Sequence, residues 1–515
     1  MAWSKRSLIA GALTLTIANI ITRLIGFAYR IFMAGAVGAE GMGLFQLIMP
    51  IYSLAWAITC SGITTTLSRL VAAEQAKGEL GNMRRLLYIS LAITGILAFA
   101  MTVVLYFGAN FIGAGILNEP RIVLSLRILS GSFIFMALGS CLRGYFLGLQ
   151  KTIVPAASQI IEQLARIGVI MLLAGLFIPR GLEYAAAMAA IGIVVGEALS
   201  FAYVFFAYKC AGRKIRERKK FAPTMGQKQA LFAIAAMAAP LTLNRISSSF
   251  LSTVENVMIP SRLQSFGMAA DEAMATFGTI TGMAMPLIFF PSAILVALSI
   301  SLVPSISESL TLGHTARVNS TISKSIIFTC IVAFGAAVIF VVFPYEIGHL
   351  VYRQDLGRIL LLLGLMCPFW YLNITLNGIL SGLGEQVFIF RNSLLASGIN
   401  IGFVYFFVPL YGVNAFLVGW FISLLIVTFF SILRLRKATG IRPRPAHWLI
   451  KPAIAATLAG LIINQLHNHL ISELLPNLPA VLLSLALLMA TYGACIVLLG
   501  IIRIRDIRQI IDFRK

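Results

Sequence analysis

Long apolar runs recur along the whole chain, and short polar connectors separate them. Each run is roughly 18 residues or longer, which lets an α-helix cross the ~30 Å hydrocarbon core of a bilayer. The pattern therefore predicts an all-α polytopic membrane protein with 14 transmembrane helices. The predicted spans are residues 8–34, 42–67, 86–108, 122–147, 153–178, 184–208, 229–252, 273–303, 323–343, 357–382, 386–408, 412–433, 449–470 and 479–501.

Basic residues determine the predicted orientation of these spans. Only 11% of the residues are charged, yet the net charge is +22, and the basic residues concentrate in connectors such as "KCAGRKIRERKK" at 209–220. The positive-inside rule assigns these connectors and both termini to the cytoplasm, which requires an even number of spans. Basic cytoplasmic loops favour contact with anionic membrane lipids and argue against a nucleic-acid partner. The prediction is a multi-pass protein of the cytoplasmic membrane.

An internal repeat is visible at a shift of about 230 residues. "RGYFLGLQ" at 143–150 aligns with "NGILSGLG" at 377–384, and "LSRLV" at 67–71 aligns with "SISLV" at 299–303. Because six spans per repeat is an even number, both repeats enter from the same side, which predicts a pseudo-twofold axis normal to the membrane. The predicted domains are an N-terminal six-helix bundle (1–208), a basic cytoplasmic linker (209–228), a C-terminal six-helix bundle (229–435), and two extra helices with a basic cytoplasmic tail (436–515).

The first span carries polar residues on one face. Asn19, Arg23 and Arg30 recur at helical spacing, so they share a stripe opposite an apolar face. An arginine at membrane depth costs roughly 3 kcal/mol on insertion scales, which favours a functional role for Arg23. Arg30 lies nearer the helix end, where its side chain can also extend to the membrane interface. We expect the stripe to face a cavity between the two bundles.

The fifth and sixth spans also contain charged residues. Gln159, Glu162 and Arg166 lie on one face of the fifth span. The i, i+4 order of Glu162 and Arg166 fits a pair that neutralises itself, and it equally fits a cavity wall that binds substrate or couples an ion. Glu197 in the sixth span has no evident partner, so we expect a neutral, hydrogen-bonded carboxyl there.

The seventh span opens the second repeat as the first span opens the first, and it too is polar. Its polar residues are Asn244, Arg245, Ser248, Ser249, Ser252, Glu255 and Asn256. We therefore expect these two helices to line a shared cleft. Guanidinium groups suit anionic oxygens because their planar fork binds phosphate through two hydrogen bonds. An anionic substrate, with phosphate or diphosphate as the leading candidates, is predicted. Asn373 and Asn377 in the tenth span form a weaker stripe, which favours helix–helix contacts.

The sequence contains no catalytic pattern. It has no P-loop, and its six cysteines are scattered without a CxxC motif. His467 and His469 have no further likely ligand beside them, so we expect no metal site and no cofactor. The chain is predicted not to be an enzyme, and an ion gradient or the membrane potential would drive transport.

Five segments resemble the multidrug/oligosaccharidyl-lipid/polysaccharide (MOP) exporter superfamily and, within it, the stage V sporulation protein B group of polysaccharide biosynthesis proteins. They are "TRLIGFAYRIFMAGAVGAEGMGLFQLIMPIYSL" (22–54), "SGITTTLSRLVAAE" (61–74), "RGYFLGLQKTIVPAASQIIEQLARI" (143–167), "ENVMIPSRLQSFG" (255–267) and "ALSISLVPSISE" (297–308). The resemblance implies an alternating-access transporter of two six-helix bundles. It also implies a polyprenyl-diphosphate-linked sugar as cargo, such as a peptidoglycan precursor for spore cortex or cell wall.

The related lipid II flippases use cavity arginines, and in the first helix the resemblance carries this role over to Arg23 and Arg30. Those flippases also have arginines in their second and eighth helices, whereas spans 42–67 and 273–303 have none here. The candidates to replace them are Arg143, Arg166 and Arg245. The two extra C-terminal helices agree with the lipid II flippases and are lacking in the twelve-helix drug exporters.

Two other functions are compatible with the sequence. A cation-coupled multidrug exporter of the same fold would depend on Glu162 or Glu255 and be indifferent to Arg23. A non-transporting scaffold for a cell-wall synthesis complex would tolerate neutral substitutions in the polar stripes. Cell-wall synthesis enzymes are candidate partners, and we expect the chain itself to be a monomer.

Overall fold

The computed structural model describes residues 5–216, 223–441 and 446–501. Within these ranges every regular element is a helix and no β-strand occurs, which confirms the predicted all-α fold class. Part of the predicted basic linker, residues 217–222, and the predicted basic tail from residue 502 onward lie outside the described residues.

The chain forms two compact units, Met1–Gly282 and Met283–Lys515. The helices of the first unit are α1 (Lys5–Trp56), α2 (Gly62–Lys77), α3 (Leu80–Asn110), α4 (Val123–Ser130), α5 (Ser132–Gly148), α6 (Ile153–Phe177), α7 (Leu182–Arg216), α8 (Gln227–Ser265) and α9 (Ala270–Gly278). Short π-helical or 3-10 segments follow at Ala57–Ser61, Phe111–Ile116, Pro120–Ile122, Ile178–Arg180 and, after α9, Thr279–Ala284.

The second unit contains eleven further α-helices among its described residues. They are α10 (Met285–Phe289), α11 (Ala293–Thr311), α12 (Thr315–Val342), α13 (Pro344–Tyr352), α14 (Gly357–Gly382), α15 (Gln386–Gly402), α16 (Val408–Tyr411), α17 (Val413–Thr439), α18 (Lys451–Leu466), α19 (Ser472–Leu474) and α20 (Asn477–Leu498). Its π-helical segments are Phe403–Phe407, Ala446–Ile450 and His467–Ile471.

The helices agree closely with the predicted spans. In the described ranges, 12 helices are long and apolar enough to cross a membrane, or 13 when the bent pair Pro120–Ser130 and Ser132–Gly148 counts as one span. One of them, Thr14–Lys77, has 64 residues. At 1.5 Å per residue that is roughly 96 Å, enough for two crossings. Gly38, with φ 70° and ψ −173°, interrupts this helix, and dividing it there brings the count to the predicted 14.

The predicted eighth span, 273–303, is wrong as one continuous helix. The structure divides it into α9, the π-helical segment Thr279–Ala284, α10 and α11. Pro291 falls in the gap between α10 and α11, where its ring nitrogen has no hydrogen to donate to the preceding helix. Hydropathy alone does not detect this break, because the residues around it are apolar.

The first copy of the sequence repeat contains a close helix crossing, between α2 and α5 of the first unit. A Cβ added at Gly144 would lie 2.7 Å from the carbonyl oxygen of Thr64, and one at Gly148 would lie 2.7 Å from that of Ser68. Glycine is therefore required at both positions for the two backbones to approach this closely.

The second unit repeats this crossing between α11 and α14. A Cβ at Gly378 would lie 2.7 Å from the carbonyl oxygen of Ser299, and one at Gly382 would lie 3.1 Å from that of Val303. The paired glycines predicted from the sequence thus make equivalent contacts. By these contacts, Ser299 of the second repeat corresponds to Thr64 of the first. The sequence alignment had paired Ser299 with Leu67, so this segment of the alignment was wrong by three residues.

The core of the first unit includes α8. Buried apolar side chains from five helices meet there, namely Leu67, Val71, Leu86, Leu87, Leu142, Phe146, Val204, Ala230 and Ile234. The predicted boundary at 209–228 assigns α8 and α9 to the second bundle, but both belong to the first compact unit. The boundary was drawn from the sequence repeat, and as a division between two bundles it stays a prediction.

The segment before α8 is bound to the start of α3. The Asn82 amide nitrogen donates to Glu74 Oε2 at 2.8 Å and to Thr224 Oγ1 at 2.9 Å. In return, the backbone N–H of Met225 donates to Asn82 Oδ1 at 2.9 Å, and the Arg85 guanidinium donates to the Met225 carbonyl. These bonds hold Thr224 and Met225, which belong to the predicted linker, against the end of α2 and the start of α3.

In the second unit, the two extra helices pack against α12. The Tyr492 hydroxyl donates to the carbonyl of Ile331 at 2.9 Å, and His467 is buried with its Nδ1 2.8 Å from Ser484 Oγ. Asn373 also has a structural partner, because its amide donates to Thr428 Oγ1 at 2.6 Å and so links α14 to α17.

Candidate functional site

The polar stripe of the first span lies on α1. Asn19 and Arg23 are exposed, and Arg30 is half-buried. Among the described residues, the Arg23 side chain forms no ion pair and no hydrogen bond, whereas Arg30 has an interaction of its own. Ile20 and Leu24 are 44% and 49% exposed, so α1 is accessible on more than one side at this level. Arg23 thus presents an accessible positive charge.

Five side chains on four helices form a charge cluster: Tyr52, Arg143, Glu162, Arg166 and Glu197. Glu162 Oε1 and Arg166 Nη2 are 2.7 Å apart on α6. Arg143 Nη2 on α5 lies 3.9 Å from Glu197 Oε2 on α7, and the Tyr52 hydroxyl of α1 donates to Glu197 Oε1 at 2.7 Å. Glu162 also lies within electrostatic range of Glu197 and Arg143, so the two ion pairs form one network.

The expectation that Glu197 is solitary was therefore wrong. Its carboxylate has a cationic neighbour, Arg143, whose guanidinium also donates to Ser200 Oγ at 3.1 Å and to Ser140 Oγ at 3.0 Å. Helical spacing reveals partners on the same helix, such as Glu162 and Arg166, but it contains no information about contacts between α5 and α7. Tyr52 was missed for the same reason.

One sequence signal does point to this cluster. Gly192 and Gly196 form a GxxxG pattern, which is typical of close helix crossings in membranes. A Cβ at Gly196 would lie 2.9 Å from the carbonyl oxygen of Glu162, and one at Gly192 would lie 3.2 Å from that of Arg166. The glycines of α7 thus bring that helix directly onto the charged turns of α6, where Gln159 is also half-buried.

Polar residues of the seventh span lie on α8. Asn244 and Arg245 are exposed, and the Arg245 guanidinium carbon is 5.8 Å from the centroid of the Trp56 ring, within cation–π range. In the part of the chain that the structure describes, no carboxylate pairs with Arg245. Glu255 is 9% exposed and has an interaction of its own. The structure therefore separates an accessible cation from a buried acid on one helix.

A cavity of 270 Å³ lies beside these residues, between α1, α8 and the π-helical segment after α9. It is lined by Gln46, Met49, Pro50, Ser53, Ser249, Ser252, Asn256 and Thr281. The Gln46 amide donates to the Thr281 carbonyl at 2.6 Å, and the Thr253 hydroxyl donates to the Pro50 carbonyl at 3.2 Å. None of the lining residues is charged, and three of them, Ser249, Ser252 and Asn256, belong to the polar face predicted for the seventh span.

Next to the cavity, α1 and α9 cross with their backbones in contact. A Cβ at Gly278 would lie 2.0 Å from the carbonyl oxygen of Ala39, and one at Gly43 would lie 2.2 Å from that of Met274. Neither position has room for a side chain when the two helices lie at this distance. Arg121 stabilises the same region, because Glu40 and Glu119 lie 2.6 Å and 2.7 Å from its guanidinium nitrogens.

Comparison with known proteins adds sequence relatives. Residues 8–310 match the family described as polysaccharide biosynthesis protein. The chain is 30% identical over 407 residues to the stage V sporulation protein B of Bacillus subtilis (strain 168), and the alignment covers 78% of each chain. It is 25% identical over 361 residues to the lipid II flippase MurJ of the same organism, covering 66% of this chain and 63% of that protein.

Solved structures share the fold. A lipid II flippase MurJ in an inward closed conformation superposes with a TM-score of 0.69 at 16% identity, covering 94% of this chain and 98% of that chain. An inward-facing multidrug resistance MATE family transporter of the MOP superfamily superposes with a TM-score of 0.65 at 14% identity, covering 84% of this chain and 99% of that chain.

Proposed function

The chain belongs to the polysaccharide biosynthesis protein family, a multi-pass membrane transporter family of the MOP superfamily, and from this premise we propose that it is a flippase for a polyprenyl-diphosphate-linked cell-wall oligosaccharide. The proposed cargo is a peptidoglycan precursor such as lipid II, for spore cortex or cell wall. Transport proceeds by alternating access across the cytoplasmic membrane, and both termini lie in the cytoplasm.

The observation that supports this function is a pair of accessible guanidinium groups, Arg23 on α1 and Arg245 on α8. Both are exposed, and within the described residues neither is paired with a carboxylate. A diphosphate supplies the missing negative charge, and a guanidinium fork binds it through charge-assisted hydrogen bonds. Arg166 and Arg143 differ from them because Glu162 and Glu197 already neutralise their charge.

The test is translocation in reconstituted vesicles, with lipid II and an undecaprenyl-linked polysaccharide unit supplied in parallel, with and without an imposed membrane potential. We expect Arg23→Ala to abolish translocation while the protein still inserts, and Arg23→Lys to retain part of it because the charge remains without the fork. Arg127→Ala, on an exposed arginine of α4, is the matched control. Normal translocation by Arg23→Ala would refute the proposal.

The charge cluster supports a second candidate, a cation-coupled multidrug exporter of the same fold. Its two carboxylates, Glu162 and Glu197, lie in one network with Tyr52, and such a network can exchange a proton or bind a cation. Drug efflux that requires Glu162, Glu197 or Glu255 and persists in Arg23→Ala would favour this function over lipid transport.

A further inference from the structure

Serine hydroxyls on α8 differ according to whether they face the cavity. Outside it, Ser247 donates to the Leu243 carbonyl at 2.9 Å, and Ser248 donates to that of Asn244 at 3.1 Å. The cavity residues Ser249 and Ser252 form no side-chain hydrogen bond within the described part of the chain. The same is true of Ser53 on the opposite wall, so three hydroxyls are available to a ligand.

Two amide side chains of the cavity wall are held in place by hydrogen bonds. The Gln46 side chain is held by its bond to Thr281, and the Asn256 amide nitrogen donates to the Ser252 carbonyl at 2.7 Å. The cavity therefore combines fixed amide groups with free hydroxyls.

The side chains that line the cavity indicate which class of ligand it would bind. With no charged residue in the lining, the cavity offers little to a diphosphate or a cation. Hydroxyl and amide groups that both donate and accept hydrogen bonds match the hydroxyl and amide groups of a sugar. Met49 and Pro50 supply an apolar surface for the C–H face of a sugar ring. The volume of 270 Å³ lies just below the usual range of ~300–1,000 Å³, which suits one sugar unit and not a whole lipid-linked oligosaccharide.

The position of Arg245 on α8 indicates which part of the proposed cargo would reach this cavity. It precedes Ser249 by four residues, which is about 6 Å along a helix. A cargo whose diphosphate is bound by Arg245 would present the sugar attached to that diphosphate to the cavity. We propose that the cavity is a subsite for the first, N-acetylated sugar of the lipid-linked cargo, an inference that rests on the proposed function.

The test compares two ligands on the full-length protein in detergent: undecaprenyl diphosphate, and the same carrier with one N-acetylglucosamine attached. The cavity variant is the double substitution Ser249→Ala and Ser252→Ala, and the matched control is Ser247→Ala and Ser248→Ala on the same helix. Losing two hydrogen bonds should weaken binding of the glycosylated carrier by roughly tenfold in the cavity variant. Binding of the bare carrier should not change, and the control should behave as wild type.

Asn256→Ala is a second variant, which removes the amide without adding volume to the side chain, and it should show the same ligand-selective loss. The inference is overturned if both cavity variants bind the glycosylated carrier as wild type does, or if they lose both carriers equally. Translocation by the wild-type protein in vesicles separates the two proposals. If it moves the glycosylated carrier and the cavity variants do so equally well, only the subsite is refuted; if it moves no polyprenyl-linked cargo, the proposed function fails as well.

Discussion

The hydroxyl of Tyr52 on α1 and the carboxylate of Glu197 on α7 are joined by a hydrogen bond of 2.7 Å. The carboxylate is 5% exposed, so its oxygens have little access to solvent. This bond joins the part of α1 that follows the break at Gly38 to α7 inside the first unit. A change in the position of that part of α1 therefore changes the surroundings of a buried acid.

Tyr52→Phe tests this bond, because it removes the donor and keeps the ring. A buried carboxylate oxygen that loses a partner costs about 1–3 kcal/mol, so the unfolding temperature in detergent should fall. Tyr106→Phe, at a tyrosine of α3 that is 50% exposed, is the control and should leave it unchanged. Equal thermal stability of the two variants would contradict the structure at this point.

The Arg143–Glu197 ion pair can be tested by a double-mutant cycle. Replacing Arg143 leaves the buried Glu197 carboxylate without its cation, and breaking a buried pair in this way costs up to about 3–5 kcal/mol. Replacing Glu197 should cost less, because the Arg143 guanidinium is half-buried and still donates to Ser140 and Ser200. We expect both Arg143→Met and Glu197→Leu to reduce the free energy of unfolding, Arg143→Met more strongly, and the double variant to recover part of the loss. Additive losses in this double-mutant cycle, measured by thermal unfolding, would show that the two side chains do not interact.

The crossing of α1 and α9 predicts a steric effect. Gly278→Ala places a methyl group where the Ala39 carbonyl lies 2.0 Å away, so the crossing must open or strain by about 1–3 kcal/mol. Gly35→Ala on α1 meets nothing within 4 Å and serves as the control. We expect lower thermal stability and slower translocation for Gly278→Ala alone. If Gly278→Ala has the thermal stability and the translocation rate of the wild type, the close contact between Gly278 and Ala39 is absent from the folded protein.

The native cysteines provide a test of orientation. Cys210 at the end of α7 is exposed, whereas Cys60, Cys141, Cys330 and Cys367 are buried. Because the predicted connector at 209–228 is cytoplasmic, a membrane-impermeant maleimide should label Cys210 only after the cells are permeabilised. Cys210→Ser is the control, because any labelling that remains in this variant comes from another cysteine, such as Cys495. Labelling of Cys210 in intact cells would reverse the proposed topology.

Hydropathy predicted the helices well because crossing a bilayer demands a long apolar run at every span. It did not predict the break at Pro291, since a proline among apolar residues hardly changes the average. The repeat predicted the glycines of the α2–α5 and α11–α14 crossings, because close backbone contact leaves glycine as a lasting sequence signal. The three-residue error near Leu67 arose because apolar helix residues are interchangeable and fix the register only weakly.

The charge cluster was predicted only where its residues share a helix. Glu162 and Arg166 were predicted as a possible pair from their spacing, and the structure pairs them. The partner of Glu197 lies on another helix, and no spacing rule reaches across that distance in the sequence. One wall of the polar cavity was predicted, because Ser249, Ser252 and Asn256 belong to the polar face of the seventh span. Its opposite wall, residues 46–53, lies in the second span, and helical spacing within α8 contains no information about that contact.

The balance of the charge cluster has an electrical consequence. When all four groups are ionised, Arg143 and Arg166 cancel Glu162 and Glu197. Moving one elementary charge through 100 mV involves ~2.3 kcal/mol of electrical work, but a neutral group that moves as a body involves none. Displacement of this cluster during a transport cycle is therefore electrically silent. A cycle whose rate responds to voltage must take that sensitivity from unpaired charges such as Arg23, or from the phosphates of the cargo itself.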